Sequence, residues 1–227
     1  MTDHEETSTQ KAVSLTDTND LFQLLNELES RFLPMRSREK KEVDIGRIQQ
    51  RPHKIGEYPG SVYIEIPIEI KNKIMEETNQ FSQDFKPIQS LHISLTKEFS
   101  LREHQIPLFV QEVRKKIKRL PTFTITFGQL ELLLNPEQNT EFLSIQVTSP
   151  EILSLIDLLD TVMMSFNLEK YYEERKIHSS LMYRTEHLKE PYELSSFNKC
   201  LLSFKPATIK IRLGEIVYTC VLGGYSM

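Results

Sequence analysis

QSLHISLTKEF, residues 89–99, and KIHSSLMY, residues 176–183, decide how this chain is read. Each holds a His-x-Ser-Leu tetrapeptide: His92-Ile93-Ser94-Leu95 and His178-Ser179-Ser180-Leu181. Both read as short strands, on which positions i and i+2 share a face. Each histidine therefore stands beside its serine, while Ile93 and Leu95, or Ser179 and Leu181, point the other way. In a chain with six histidines, chance supplies roughly 0.1 matches to H-x-[ST]-L, against about one to the shorter H-x-[ST]. Two copies of the longer motif need a common cause.

The surroundings of the two motifs repeat as well. VYIEIPIEI (62–70) alternates as a half-buried strand, with Val62, Ile64, Ile66, Ile68 and Ile70 on one face and Pro67 marking an edge or bulge. A helical stretch with Ile74, Thr78, Phe81 and Phe85 follows, then the first motif. Residues 106–120 place Ile106, Phe109, Val110, Val113, Ile117 and Leu120 on one helical stripe, with Pro107 in the first turn. Strands are expected at 122–127 and 130–134. The second half gives a strand at 142–148 and a helix opened by Pro150 with Ile152, Leu155, Ile156, Leu159, Val162, Met163 and Phe166 inward. The second motif, a helix near 193–203 and strands at 209–213 and 215–221 complete it. Each half reads strand, helix, H-x-S-L strand, helix, strand, strand. The expected fold is α+β: two pseudo-symmetric lobes of antiparallel sheet with helices, facing each other across a central cleft. Residues 1–43 read as a polar tail with one short amphipathic stretch (Leu21, Leu24, Leu25, Leu28), and 44–227 as a single two-lobed domain.

Composition narrows the classes. The 227 residues are 39% hydrophobic and 26% charged, enough to build a core. No apolar run approaches the ~20 residues a bilayer span needs, and MTDHEETSTQ has no signal-peptide character. Cys200 and Cys220 are too few for a disulfide framework or a cysteine-built zinc site. The net charge of −4 is uneven: residues 1–30 hold seven acids and one base, whereas the remainder holds 27 bases and 25 acids. That is too little for a broad duplex footprint, yet compatible with a partner offering a few phosphates. Arg36, Arg38, Lys40 and Lys41 read equally as an import signal or a solvated linker. The run Arg114–Arg119 reads as a solvated helix face, His53 as a turn residue, and His104 and His187 as surface residues. Gly128, Gly214, Gly223 and Gly224 are expected at strand ends. No phosphate-cradling glycine motif is present, and no heptad or large apolar stripe argues for assembly, so a monomer is expected.

Two H-x-S strands across a cleft would bring two imidazoles and two hydroxyls around one small volume, which suits phosphodiester chemistry. One imidazole takes a proton from the attacking oxygen and the other gives one to the leaving oxygen. The hydroxyls donate to the non-bridging oxygens, where charge develops. Histidine, titrating near ~6.5, can take either role, and the scheme calls for no metal or cofactor.

Paired H-x-[ST] motifs on pseudo-symmetric lobes resemble the 2H phosphoesterase superfamily. Within it the likeness is to the U6 small nuclear RNA phosphodiesterases, carried by RPHKIGEYPGSVYIEIP, SLREHQIPLFVQEVR and LEKYYEERKIHSSLMY. The resemblance implies a nuclear, metal-independent 3′–5′ exonuclease that acts on the single-stranded 3′ end of U6 small nuclear RNA. It removes terminal uridines or adenosines to leave a 2′,3′-cyclic phosphate, which some members open to a 3′-phosphate. It assigns His92 and His178 as the acid/base pair, Ser94 and Ser180 as phosphate-binding hydroxyls, and Tyr172 as the aromatic that stacks on the terminal base. Which histidine is the base stays open. So do two other functions: another 2H activity, on small cyclic nucleotides or tRNA-splicing ends, and a non-catalytic RNA-binding module. Two departures from the family stand out: polar Ser179 within the second motif, and the charged loop Glu173-Glu174-Arg175-Lys176 beside it.

Overall fold

Pro67 settles where the first long strand ends. In the computed structural model, which describes residues 36–38, 56–135, 140–185, 194 and 202–223, strand β2 runs Glu57–Glu65 and helix α1 runs Ile68–Glu77. Pro67 is extended (φ −56°, ψ 145°) and its carbonyl accepts the Lys71 N–H at 2.9 Å, opening the helix. The alternation expected through residue 70 is thus corrected. Val62, Ile64 and Ile66 are buried, but Ile68 is 57% exposed on the first helical turn. A fixed φ near −65° suits helix entry as well as an edge strand, and the periodicity alone did not separate the two.

The remaining elements follow in order: β1 Arg36–Arg38, β3 Lys86–Pro87, β4 His92–Ser94, β5 Phe99–Arg102, α2 Ile106–Ile117, β6 Ile125–Leu134, β7 Glu141–Thr148, α3 Pro150–Ser165, β8 His178–Arg184, β9 Ser203–Phe204, β10 Thr208–Leu213 and β11 Ile216–Val221. Helices α2 and α3 bury the expected stripes: Ile106, Phe109, Val110, Val113 and Ile117 in one, Ile152, Leu155, Ile156, Leu159, Val162 and Met163 in the other. The two pack together, with Phe109 held between Phe99 at 5.0 Å and Phe166 at 5.2 Å between ring centroids. Of the run expected as a solvated face, Lys115, Lys116, Lys118 and Arg119 are exposed, whereas Arg114 is half-buried and donates to the Thr219 carbonyl at 3.5 Å. No helix among the described residues is long and apolar enough to cross a membrane. The stretch Leu21–Leu28, Lys40, Lys41, His53, His187, Cys200, Gly224 and nearly all of the helix expected near 193–203 lie outside the described residues.

The strands form two antiparallel sheets. The first has the order β1-β11-β10-β2-β4, with β5 also on β2; the second has the order β3-β8-β7-β6-β9. The α+β architecture with two sheets is as expected, but the allocation of strands to lobes is not. β6, from the first half, pairs with β7 in the second sheet, and β10 and β11, from the second half, complete the first sheet beside β2. The halves exchange their last strands. A short connection keeps sequential antiparallel strands adjacent, so the loop after Leu134 draws β6 to β7 whatever half it belongs to.

Two expected strands, 122–127 and 130–134, are one strand, β6, whose register shifts between Phe127 and Leu130. Gly128 therefore sits inside a strand at the irregularity rather than at a strand end. Gly214 does close a two-residue turn between Leu213 and Ile216, at φ +59°. Gly60 is required by packing: a Cβ there would fall 2.6 Å from Phe99 Cε2 and 2.7 Å from Leu213 Cδ2. β1 occupies three residues of the stretch read as tail and pairs with Ile216–Tyr218. The inner faces supply the core, with Val62, Ile64, Ile93, Ile209 and Ile211 from one sheet and Ile125, Leu143 and Ile145 from the other at 0% exposure. Each such side chain contributes about 1.5–3 kcal/mol by leaving water.

Candidate active site

β4 pairs with β2 so that Ser94 lies opposite Tyr63 and His92 opposite Glu65. Directly opposed residues share a face, so His92 and Ser94 stand on the half-exposed side while Ile93 and Leu95 are fully buried. β8 pairs with β7 in the same manner, His178 opposite Gln146 and Ser180 opposite Ser144, with Ser179 fully buried. β3 explains how the two motifs meet. Lys86–Pro87 pairs with β8, and Ile88 N–H donates to the Leu181 carbonyl at 2.8 Å. Four residues later the chain enters β4 in the other sheet. β4 and β8 consequently lie side by side, with Cα atoms of the two strands within 8 Å. The structure thus sets the strand that carries His92 and Ser94 beside the strand that carries His178 and Ser180.

The two imidazoles are held alike. His92 Nδ1 is 3.1 Å from the Ser90 carbonyl, and His178 Nδ1 is 2.8 Å from the Lys176 carbonyl. Both bonds reach back two residues. A carbonyl can only accept, so Nδ1 carries the proton in each ring, and Nε2 is left as the nitrogen that can gain or lose one.

Several neighbours escaped the sequence reading. The Tyr63 ring meets His92 edge-on at 5.3 Å, and Arg212 lies 5.5 Å over Tyr63, its Nη2 at 3.4 Å from the Tyr63 hydroxyl. Lys210, on the same face of β10, forms an ion pair with Glu65. Ser144, fully buried, is 3.4 Å from Ser180, oxygen to oxygen. Gln146 Nε2 donates to Glu131 Oε2 at 3.3 Å, and the buried Glu131 Oε1 has no hydrogen-bond partner. Only strand register could have found them: they occupy alternate positions of β2, β6, β7 and β10, whose pairing the sequence does not show.

Tyr172 is 50% exposed, whereas its neighbour Tyr171 is buried. Burial, then the adjacent Tyr172, pushes the Tyr171 phenol up to about 12. Tyr172 therefore does not pack on the core. Lys97, three residues past Ser94, has Nζ 4.9 Å from the Tyr172 centroid and 3.0 Å from Glu169 Oε2. This joins the two motifs at one end of the cleft. The loop carrying Tyr172 is pinned to α3, with Asp160 Oδ1 accepting the Tyr171 N–H at 2.8 Å and Arg175 donating to Asp157 at 2.6 Å. That hydrogen bond from Arg175 holds the Asp157 carboxyl below its ordinary range. Glu173 and Glu174 are exposed, and Glu174 pairs with Lys176 at 3.1 Å. Ser179 Oγ has no hydrogen-bond partner, which makes this polar departure a structural cost. Among the described residues, no three His, Cys, Asp or Glu side chains gather as a metal site.

A family model described as HVSL, an uncharacterised conserved protein, matches residues 22–220. The chain belongs to the HVSL family. Among curated relatives, this HVSL chain is similar to U6 snRNA phosphodiesterase 1 of Danio rerio, 29% identical over 163 residues, covering 67% of this chain and 59% of that one. The Homo sapiens protein of the same name is 30% identical over 145 residues, covering 60% and 54%. The HVSL chain thus spans little more than half the length of these relatives. In three dimensions it is similar to Kluyveromyces marxianus Usb1 with uridine monophosphate, at TM-score 0.55 and 14% identity, covering 72% of this chain and 98% of that one. The fold is that of the 2H phosphoesterases.

Proposed function

We propose that this protein is an RNA phosphodiesterase that shortens the 3′ end of U6 small nuclear RNA in the nucleus, one nucleoside at a time. The observation that carries this reading is the pair of histidines on adjacent strands, each held through Nδ1 by the carbonyl two residues back. Nε2 is thereby the nitrogen through which each ring would exchange a proton. The likeness to U6 snRNA phosphodiesterases supports the substrate.

In this mechanism one Nε2 accepts the proton of the penultimate ribose 2′-OH as that oxygen attacks the adjacent phosphorus. The other imidazole, protonated, gives its proton to the 5′-oxygen of the terminal nucleoside. The P–O2′ bond forms, the P–O5′ bond breaks, and the products are a free nucleoside and a chain ending in a 2′,3′-cyclic phosphate. Ser94 and Ser180 donate to the non-bridging oxygens as their charge grows. Ser144 beside Ser180 fixes the direction of that hydroxyl. Tyr172 offers its exposed ring to the terminal base, a contact worth ~1–3 kcal/mol and tolerant of base identity. Opening of the cyclic phosphate by water would exchange the two histidine roles.

The test uses a 3′-oligouridine RNA with a cis-diol end, incubated with the protein and EDTA, with products resolved by mass. A stepwise ladder is expected, and its end mass separates the cyclic from the opened phosphate. Opening of a cyclic-phosphate control without a ladder would transfer the assignment to small cyclic substrates. Inertness toward both would refute catalysis.

A further inference from the structure

A groove of about 530 Å³ opens at the end of β4 opposite to Tyr172, lined by Glu65, Pro67, Lys71, Ser90, Phe204, Lys205 and their neighbours. It adjoins the catalytic centre directly. Ser90 supplies the carbonyl that holds His92, and Glu65 faces His92 across the strand pair. Its charge is one-sided. Glu65 is engaged by Lys210. Among the described residues the Lys71 ammonium meets the neutral Gln89 carbonyl and no carboxylate, and Lys205 is exposed. Between the lysines lie Pro67, Ile68 and Phe204, flat apolar surface of the kind that accepts bases.

We propose, building on the function proposed above, that this groove binds the RNA on the 5′ side of the scissile phosphate. Lys71 and Lys205 would contact phosphates there, and the apolar floor would carry a base. Polarity along β4 supports this direction. The Tyr172 end is bridged by Lys97 to Glu169 and the aromatic ring, which suits a chain terminus. The Ser90 end leads into the groove, where a chain can continue. The centre then measures more than the last two nucleotides, and longer RNA binds better than a dinucleotide.

The experiment compares wild type with Lys71→Glu/Lys205→Glu, using uridine dinucleotide and a uridine decamer. Decamer affinity is followed by fluorescence anisotropy across a salt series, and dinucleotide cleavage is followed by mass. Two lost phosphate contacts should flatten the log–log salt slope by about 1.4, at ~0.7 per single-strand phosphate. Decamer affinity at low salt should fall at least tenfold. Dinucleotide cleavage should be unchanged, which also reports that the variant is folded. Lys71→Arg/Lys205→Arg should keep the wild-type slope. An unaltered slope and affinity in the charge-reversed protein would overturn the groove assignment. Failure of wild type to cleave the dinucleotide or the decamer would instead overturn the phosphodiesterase reading, with the binding slope still deciding the groove.

Discussion

Replacing Asp160 with alanine should loosen the loop that carries Tyr172 without touching His92 or His178. Asp160 is 7% exposed on α3 and accepts the Tyr171 backbone N–H at 2.8 Å, with its second oxygen 3.7 Å from Arg175. The truncation leaves a buried N–H unpaired. A hydrogen bond to a charged acceptor is worth about 1.5–3 kcal/mol, and a chain of this size loses about 2–4 °C of melting temperature per kcal/mol. The expected fall is about 3–12 °C by thermal melting. If part of the loss is expressed as local opening of the loop, Tyr172 leaves its position more often. KM for oligouridine then rises severalfold while kcat changes little. Asp160→Asn keeps an oxygen for Tyr171, and Asp157 still holds Arg175, so most of both effects should be restored. An Asp160→Ala protein that melts with wild type and keeps its KM would refute the argument that this carboxylate organises the loop.

His92→Ala and His178→Ala should each lower kcat by ~10²–10⁴-fold, and the double variant by little more, because the pair acts as a unit; single-turnover cleavage checks this, and a near-wild-type single variant contradicts it. Ser179→Ala removes a buried hydroxyl without a partner and should stabilise the protein by about 1 kcal/mol, read as a rise of about 2–4 °C in melting temperature. Tyr171 titrates at 10.0 in an unfolded chain and at about 12 here. Its contribution to stability is therefore full below pH 10 and is lost as pH rises toward 12. Denaturant melts of Tyr171→Phe should show a flatter decline over that window than wild type. The Cys220 thiol, buried and pushed up by that burial, should resist alkylation in the native state of a Cys200→Ser protein and react on unfolding.

The two motifs were legible because a strand imposes a period of two on a short, improbable pattern. Their meeting required only that both strands be present, and β3 supplies the link in two residues too short to announce themselves. Helices α2 and α3 were equally plain, since ten or more residues of 3.6-fold periodicity have few rival explanations. Pro67 was ambiguous for a physical reason: its dihedral suits both the end of a strand and the start of a helix. The Tyr171–Tyr172 pair shows a different limit. Adjacent, identical residues differ in burial, and the carboxylate that holds the backbone of the buried one, Asp160, lies eleven positions earlier. Tyr63, Arg212, Gln146 and Glu131 were invisible as site residues because strand register, and not composition, puts them beside the histidines.

The exchange of terminal strands has a consequence for how the protein breathes and how it can be divided. Neither half of the chain contains all the strands of its own sheet, so each sheet is finished by a strand that arrives from the other side. A fragment cut between β6 and β7 would expose two raw edges and should not fold alone, and both sheets should melt in one transition. The crossing segments also act as tethers: opening the cleft widely would require tearing a strand from the interior of a sheet. The placement of β4 against β8, and with it of His92 relative to His178, is accordingly set during folding.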